Sequence, residues 1–166
     1  SSLEWTTNTE ERTVMWQARH DVTYANLALR PGAKLWATDV CVPISALAGC
    51  ITDTKRDIEA ASFPIALVGH VGDGNFHTAM IIDPDNPAEI EEATELNERL
   101  ISRALSVKGT CTGEHGIGLA KIEHLRAEHG QGVDVMKTIK LALDPNGIMN
   151  PGKIFSSFDE DIRYDG

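Results

Sequence analysis

Two short apolar segments in the middle of the chain flank a glycine-rich stretch, and this arrangement constrains the fold most. The apolar segments are 64–68 and 76–82, and the stretch between them contains Asp73-Gly74. That dipeptide is favoured in the tight turns that join antiparallel strands. We therefore predict a β-hairpin at this point of the chain.

Apolar periodicity predicts a helix over residues 9–29, before the hairpin. Its apolar residues recur at spacings of three and four: Val14, Ala18, Val22, Ala25 and Leu29. Thr7 and Glu10 have the spacing of a capping box at its start. Arg30-Pro31-Gly32 would end it.

The remaining elements complete an alternation of helices and strands. We predict a strand near Trp5, a strand over 35–42, a helix capped by Ser45, a helix from Asn86 to about Val107, and shorter helices over 119–129 and 133–143. This order is a split βαβ pattern. We therefore predict an α+β fold, in which helices cover one face of an antiparallel sheet and a helical segment follows.

Charge and composition exclude several classes of protein. The formal net charge of -10 disfavours binding to nucleic acid. No apolar run approaches the roughly 18 residues of a transmembrane helix, and the first residues show no signal peptide. The chain has three cysteines and no CxxC pair, which favours reduced thiols over a disulfide-stabilised fold. Rossmann, P-loop and HExxH motifs are absent.

The hairpin carries two histidines that suggest a metal site. His70 would close its first strand and His77 would open its second. We expect the two to face each other, with Cβ atoms roughly 4.5–5.5 Å apart. Two imidazoles at that separation can share one divalent ion. The alternative is that one histidine packs in the core and the other faces solvent.

A second cluster of ionisable residues lies in the glycine-rich segment 112–118. Glu114 would complete a His₂Glu set, which leaves positions on a metal open for substrate. His115 would then be neutral beside the cation and could accept a proton. The alternative is a turn before a helix, with Glu114 near the positive helix N-terminus.

Arg19 and Thr23 are neighbours on one face of the first predicted helix. An arginine can hold a carboxylate by a bidentate pair of hydrogen bonds. A solvated helix face is the alternative.

Four stretches of the sequence together resemble the C-terminal part of FAD-linked 2-hydroxyacid dehydrogenases and oxidases. They are Thr38 to Ser45, Gly69-His70-Val71-Gly72-Asp73-Gly74-Asn75-Phe76-His77, Gly113 to Gly118, and Asn150-Pro151-Gly152-Lys153. The resemblance extends from about Trp16 to Phe155. The family includes cytochrome-type D-lactate dehydrogenase, D-2-hydroxyglutarate dehydrogenase and the glycolate oxidase flavoprotein subunit.

The resemblance implies a domain organisation and a set of site residues. Residues 1–110 would be a ferredoxin-like substrate-binding cap, residues 111–166 a helical C-terminal segment, and the FAD-binding domain would lie outside this chain. The implied metal ligands, for zinc, manganese or iron, are His70, His77 and Glu114. The implied base is His115, the implied contacts to the substrate carboxylate are Arg19 and Thr23, and the implied contacts to FAD are Asn75 and Asn150.

Two departures from the family pattern bear on the substrate. Some hydroxyglutarate enzymes have a lysine at the position of Ala37 and an asparagine at the position of Ala79. The two alanines offer no polar contact to a second carboxylate, although Lys34 could replace one of the missing contacts. The expected substrate is therefore D-lactate or glycolate, with D-2-hydroxyglutarate as the alternative.

The resemblance also implies a partner and a compartment. The flavin would pass its electrons to a cytochrome, an electron-transfer flavoprotein or a quinone. Relatives occur in mitochondria and in bacterial cytoplasm, some peripheral to the membrane. From the residues alone, a self-contained His₂Glu hydrolase and a non-catalytic α+β module remain alternatives.

Overall fold

The computed structural model describes residues 5–155, which form five helices and four strands. The helices are α1 (Thr9–Ala28), α2 (Ile44–Ala60), α3 (Pro87–Ser106), α4 (Ile122–His129) and α5 (Gly132–Leu143), and the strands are β1 (Lys34–Ala37), β2 (Val40–Cys41), β3 (Ile65–His70) and β4 (Asn75–Ile82). The predicted segments 1–110 and 111–166 extend beyond this range at 1–4 and 156–166. The boundary at residue 110 stays a prediction.

The sheet is antiparallel and is built around β4. β3 pairs along one edge of β4, and β1 and β2 pair along the other. All eight residues of β4 are buried. The predicted hairpin of β3 and β4 and the α+β class are thus confirmed.

The predicted single strand over 35–42 is divided into β1 and β2, which keep one register against β4. Lys34 pairs with Ile82 at one end and Cys41 with Asn75 at the other. Between the two strands, the backbone amide of Thr78 donates to Oγ1 of Thr38 at 2.8 Å. The Thr38 hydroxyl thus takes the place of a main-chain acceptor, and the carbonyl of Thr38 is released for another partner.

One face of the sheet carries the hydrophobic core beneath α2 and α3. Its two clusters contain Val40, Val42, Leu47, Cys50, Phe76, Leu100, Ile101, Ala104 and Cys111, and Phe63, Met80, Ile82, Ala93 and Leu96. Successive side chains of a strand point to opposite faces. The neighbours of these strand residues therefore face away from α2 and α3.

Helix α1 lies on that opposite face, so the expectation of helices on one face only was wrong. Its residues share a cavity with Leu35, Ala37, Val68 and Ala79. None of its residues is buried. Val14 and Leu29, which belong to the predicted apolar stripe, are 70% and 68% exposed. The helix is confirmed, whereas burial of its stripe is not.

The helix starts were predicted with mixed success. Asn86 caps α3 by accepting from the amide of Ala88, as predicted. Helix α1 is capped by Asn8 and not by Thr7, because the Asn8 side chain accepts from the amides of its first turn. Helix α2 begins after Pro43, before Ser45 can act as a cap.

Two further observations concern the predicted start of the chain and membrane spans. Residues 5–8 form no strand, so the predicted strand near Trp5 is not found in the part of the chain that the structure describes. Among residues 5–155, no helix has the length and apolar character needed to cross a membrane.

Candidate functional site

The hairpin turn sets the register of the two histidines. Residues 71–74 form the turn, and His70 pairs with Asn75. His77 therefore stands opposite Val68, and the expectation that His70 and His77 pair directly was wrong. The two are diagonal neighbours on one face, where longer side chains still meet. Their ring centroids lie 6.1 Å apart.

The segment that carries Glu114 reaches the hairpin by pairing with β2. Thr110 forms an isolated antiparallel bridge with Cys41, with hydrogen bonds of 2.8 and 3.3 Å. Nζ of Lys121 then donates to the carbonyls of Asp39 and Cys111, at 2.8 and 2.6 Å. Burial lowers the pKa of Lys121. These bonds fix the loop between Cys111 and Lys121 at the edge of the sheet.

His70, His77 and Glu114 lie together, as the sequence suggested. Oε1 of Glu114 is 3.0 Å from Nε2 of His77 and 3.6 Å from Nε2 of His70. One ligand atom from each residue lies within 4.8 Å of the others. The spacing fits a His₂Glu metal site, and the ligand role of these residues stays a prediction.

The ring of His77 is oriented by the main chain. Its Nδ1 lies 3.0 Å from the carbonyl oxygen of Thr38, the group released by the interrupted strand. A carbonyl only accepts, so Nδ1 carries a hydrogen, and Nε2 on the other side of the ring faces the carboxylate of Glu114. Histidines that bind metals are commonly fixed in this manner.

His115 lies on the solvent side of His77. The two rings are stacked, with centroids 4.9 Å apart and an angle of 11° between their planes. Nε2 of His115 is 3.8 Å from Oε1 of Glu114. The imidazole is half exposed, and it forms a second group with Asp39 and His77 whose possible ligand atoms also lie within 4.8 Å of one another.

Helix α1 closes one side of this cluster and forms a cavity of about 190 Å³ with the sheet. Arg19 and Thr23 line it together with His77, Glu114 and His115. Nη2 of Arg19 donates to Nε2 of His70 at 3.1 Å. The cavity is smaller than the roughly 300–1,000 Å³ of sites for drug-sized ligands, so its volume suits a small ligand.

The two asparagines that the resemblance assigned to FAD lie in different surroundings. Asn75 is buried and borders a second cavity, of about 250 Å³, with Cys41, His70, Asp73 and Glu114. Its Oδ1 has no hydrogen-bond partner among the described residues. Asn150 is exposed in the turn after α5 and lines neither cavity. Contact of either residue with FAD stays a prediction.

Asp39 is a site residue whose role the sequence did not reveal. Its side chain is almost fully buried, and it accepts hydrogen bonds from the loop of Glu114 and from Asn75. Burial raises the pKa of this carboxyl, but hydrogen bonds from the amide of His115, the hydroxyl of Thr112 and other donors outweigh it, and the pKa is lowered. The motif Thr38 to Ser45 contained Asp39, yet only the fold brings it beneath residues 112–115.

Comparison with known proteins gives one family and several relatives. Residues 1–154 match the family described as FAD linked oxidases, C-terminal domain. The chain is 49% identical over 155 residues to a probable mitochondrial D-lactate dehydrogenase of Danio rerio, covering 93% of this chain and 31% of the relative. It is 44% identical over 146 residues to the mitochondrial D-lactate dehydrogenase [cytochrome] of Arabidopsis thaliana, covering 87% of this chain and 26% of the relative.

A bacterial relative is more distant. The chain is 33% identical over 156 residues to the glycolate oxidase subunit GlcD of Bacillus subtilis, covering 93% of this chain and 33% of the relative. The chain thus spans only about a third or less of the length of these relatives.

Proposed function

The chain belongs to the FAD linked oxidases, whose C-terminal domain it matches, and we propose on this basis that it forms the substrate side of an FAD-dependent dehydrogenase. The proposed reaction oxidises a D-2-hydroxy acid, D-lactate or glycolate, to the 2-oxo acid. One observation carries the proposal: Arg19, His77, Glu114 and His115 come from three distant segments and line the same small cavity.

His70, His77 and Glu114 would hold a divalent ion. The donor set fits, because two imidazole nitrogens and a carboxylate oxygen lie within 4.8 Å and Nδ1 of His77 is already occupied by a carbonyl. Zinc, manganese and iron all accept such ligands. A bound ion would lower the pKa of a coordinated hydroxyl.

Arg19 would bind the carboxylate of the substrate. Its guanidinium borders the cavity at the side of α1, and Thr23 lies one helical turn further along the same face. A guanidinium can pair with a carboxylate through two parallel hydrogen bonds. Such a contact orients the C2 atom of the acid and contributes to catalysis through positioning.

His115 would receive the proton of the substrate hydroxyl. It is the half-exposed imidazole beside the cluster, stacked on the ring of His77, and it lines the cavity. FAD would accept the C2 hydride with both electrons, so the proton and the hydride together account for the oxidation.

The cavity floor favours a small acid over a dicarboxylate. Ala37 and Ala79 pair across β1 and β4, and both line the cavity. Lys34, proposed from the sequence as a substitute contact, shares the opposite face of β1 with Trp36 and is absent from the lining. The chain is also 32% identical to a D-2-hydroxyglutarate dehydrogenase of Xanthomonas citri, but the two alanines offer no polar group to a second carboxylate.

The remaining partners follow from the relatives. FAD would be held mainly by a part of the protein outside these 166 residues, since the relatives are about three times as long. Its electron acceptor would be a cytochrome, an electron-transfer flavoprotein or a quinone. Mitochondria and the bacterial cytoplasm are the proposed locations.

Zinc binding by the 166-residue chain tests the site. We expect about one Zn²⁺ per chain after gel filtration, and none in the double variant His70→Ala with His77→Ala. His20→Ala is the matched control, because His20 is exposed on α1 and contacts the ring of Trp16. Equal zinc content in the double variant and in the control would contradict the proposed ligands.

Flavin reduction tests the reaction. In the protein that also carries its flavin domain, anaerobic D-lactate should bleach the flavin absorbance. Substitution of His115 by Gln should slow this bleaching by about 10²–10⁴-fold, the usual contribution of a general base. Bleaching at an unchanged rate would contradict the role of His115.

A further inference from the structure

One oxygen of a buried carboxylate holds the loop that carries Glu114 and His115. Oδ2 of Asp39 accepts from the backbone amides of Glu114 and His115, each at 2.9 Å, and from Oγ1 of Thr112 at 2.7 Å. The predicted metal ligand and the predicted base are therefore tied, through consecutive amides, to the same atom.

The other oxygen of Asp39 faces the hairpin. Oδ1 accepts from Nδ2 of Asn75 at 2.7 Å and lies 3.5 Å from Nδ1 of His77. Nδ2 of Asn75 also donates to the carbonyl of Val40 at 2.9 Å, which fixes the orientation of the amide. Asp39 thus bridges the two sequence motifs of the site, which are separated by more than thirty residues.

Gly113 allows the loop to approach this carboxylate closely. A Cβ atom at Gly113 would lie 2.0 Å from Nδ2 of Asn75 and 3.0 Å from Oδ1 of Asp39. Any other residue would therefore have to move the loop away from the hairpin. Gly113 and Asp39 therefore both determine the distance between the loop and the hairpin: the glycine permits the close approach, and the aspartate bonds to both segments.

We propose that Asp39 is a positioning residue, which sets Glu114 against the hairpin histidines and holds His115 beside them. The expected effect of Asp39 on metal binding rests on the proposed function, in which His70, His77 and Glu114 bind the metal. The geometric part of the inference, the placement of the loop by one carboxylate, can be tested without any metal.

A carboxylate is required because its neighbours on both sides are donors. The loop presents two amides and a hydroxyl to Oδ2, and Asn75 presents its NH₂ group to Oδ1. An asparagine at position 39 has only one acceptor oxygen. In either orientation its NH₂ group would face another donor, so the loop or Asn75 would lose its partner.

Asp39→Asn is the test variant and Asp57→Asn its matched control. Asp57 also accepts two hydrogen bonds, from Arg99 and Arg103, but it lies on α2 at the far side of the core. Thr112→Val is a milder second variant, because it removes one of the three donors to Oδ2 and keeps the carboxylate. It is usable even when Asp39→Asn does not fold.

Amide hydrogen exchange, followed by NMR in the metal-free chain, measures the placement of the loop. In Asp39→Asn we expect exchange at Glu114 and His115 to accelerate about tenfold or more, because a charged acceptor is lost. Leu100 and Ile101 in α3 should change by less than about twofold. An equal acceleration at α3 and in the loop would overturn the inference, because it would indicate general destabilisation.

Zinc titration measures the consequence for the ligands. We expect Asp39→Asn to bind Zn²⁺ about 10–100-fold more weakly than the parent, and Asp57→Asn to match the parent. Parent-like affinity in Asp39→Asn would overturn the inference. A parent chain that binds no zinc would contradict the proposed metal site, and hydrogen exchange alone would then decide on Asp39.

Discussion

The guanidinium of Arg19 and the imidazole of His70 are joined by a hydrogen bond of 3.1 Å between Nη2 and Nε2. Because a guanidinium only donates, Nε2 of His70 accepts this bond. The same nitrogen is the atom of His70 nearest to Glu114. Helix α1 therefore places a cation at the position where a metal would compete for the histidine.

Removal of this cation should strengthen metal binding while it weakens substrate binding. We expect Arg19→Leu to bind Zn²⁺ about three- to tenfold more tightly, which corresponds to one hydrogen bond of about 0.5–1.5 kcal/mol. Binding of D-lactate, measured by titration, should fall in the same variant. Arg12→Leu is the control, since Arg12 is exposed on the same helix. Weaker zinc binding in Arg19→Leu would argue against competition.

An alanine at Gly113 should separate the loop from the hairpin. Its Cβ would lie 2.0 Å from Nδ2 of Asn75. We expect Gly113→Ala to weaken zinc binding by about tenfold or more, because Glu114 would move away from His77. Gly72→Ala is the matched control, since a Cβ at Gly72 meets no atom within 4 Å and the residue lies in the hairpin turn. Similar losses of zinc affinity in both variants would contradict this reasoning.

The ion pair between Arg30 and Glu89 predicts a pH dependence of stability. Nη1 of Arg30 donates to Oε2 of Glu89 at 2.6 Å, and Nη2 donates to Oε1 at 2.9 Å. The bond from Arg30, and next the amide of Asp83, lower the pKa of Glu89 from 4.5 to about 2. Ionised Glu89 therefore stabilises the fold above pH 4.5, and this stabilisation is lost as the pH falls from 4.5 towards 2.

Urea unfolding of Glu89→Gln at several pH values checks this dependence. The variant should have a lower free energy of unfolding than the parent at pH 7. This difference in stability should narrow as the pH falls from 4.5 towards 2. Glu95→Gln is the control, because Glu95 is exposed and its ion pair with Arg99 is long, at 3.8 Å. A stability difference that is the same at pH 7 and near pH 2 would exclude the ion pair as its cause.

Substrate selection should respond to a single change on β1. Ala37 is an exposed residue that lines the cavity. In the flavin-loaded protein, Ala37→Lys should lower KM for D-2-hydroxyglutarate relative to D-lactate by about tenfold, because a lysine can pair with the second carboxylate. Lys34→Ala, on the opposite face of β1, should leave this ratio unchanged. A KM ratio equal to the parent's would place the second carboxylate elsewhere.

The sequence predicted those elements whose signals are local. Asn86 followed by Pro87 marks the start of α3, and the alternation around Asp73-Gly74 marks the hairpin. The start of α1 was misplaced because Thr7 and Asn8 are adjacent and both can cap a helix. The exposed stripe of α1 was not predictable, since periodicity shows that a face is apolar but not whether it is covered.

The site was predictable in its members and not in its arrangement. The two glycine-rich motifs of the sequence contain His70, His77, Glu114 and His115, and these residues lie close together in the structure. The diagonal placement of the two histidines depends on the length of the turn, which the glycine pattern does not fix. Asp39 was missed because the four donors to its carboxylate are more than thirty residues away in sequence, and two of them are backbone amides, which leave no trace in side-chain motifs.

The complete burial of β4 has a consequence for how this site can diverge in evolution. Every side chain of the strand is packed in the interior, so a substitution there lowers the stability of the fold even where it would benefit the chemistry. The cavity residues on α1 and Ala37 on β1 are not buried and are less constrained by packing. We therefore expect substitutions that alter substrate preference to be tolerated more readily at these positions than on β4.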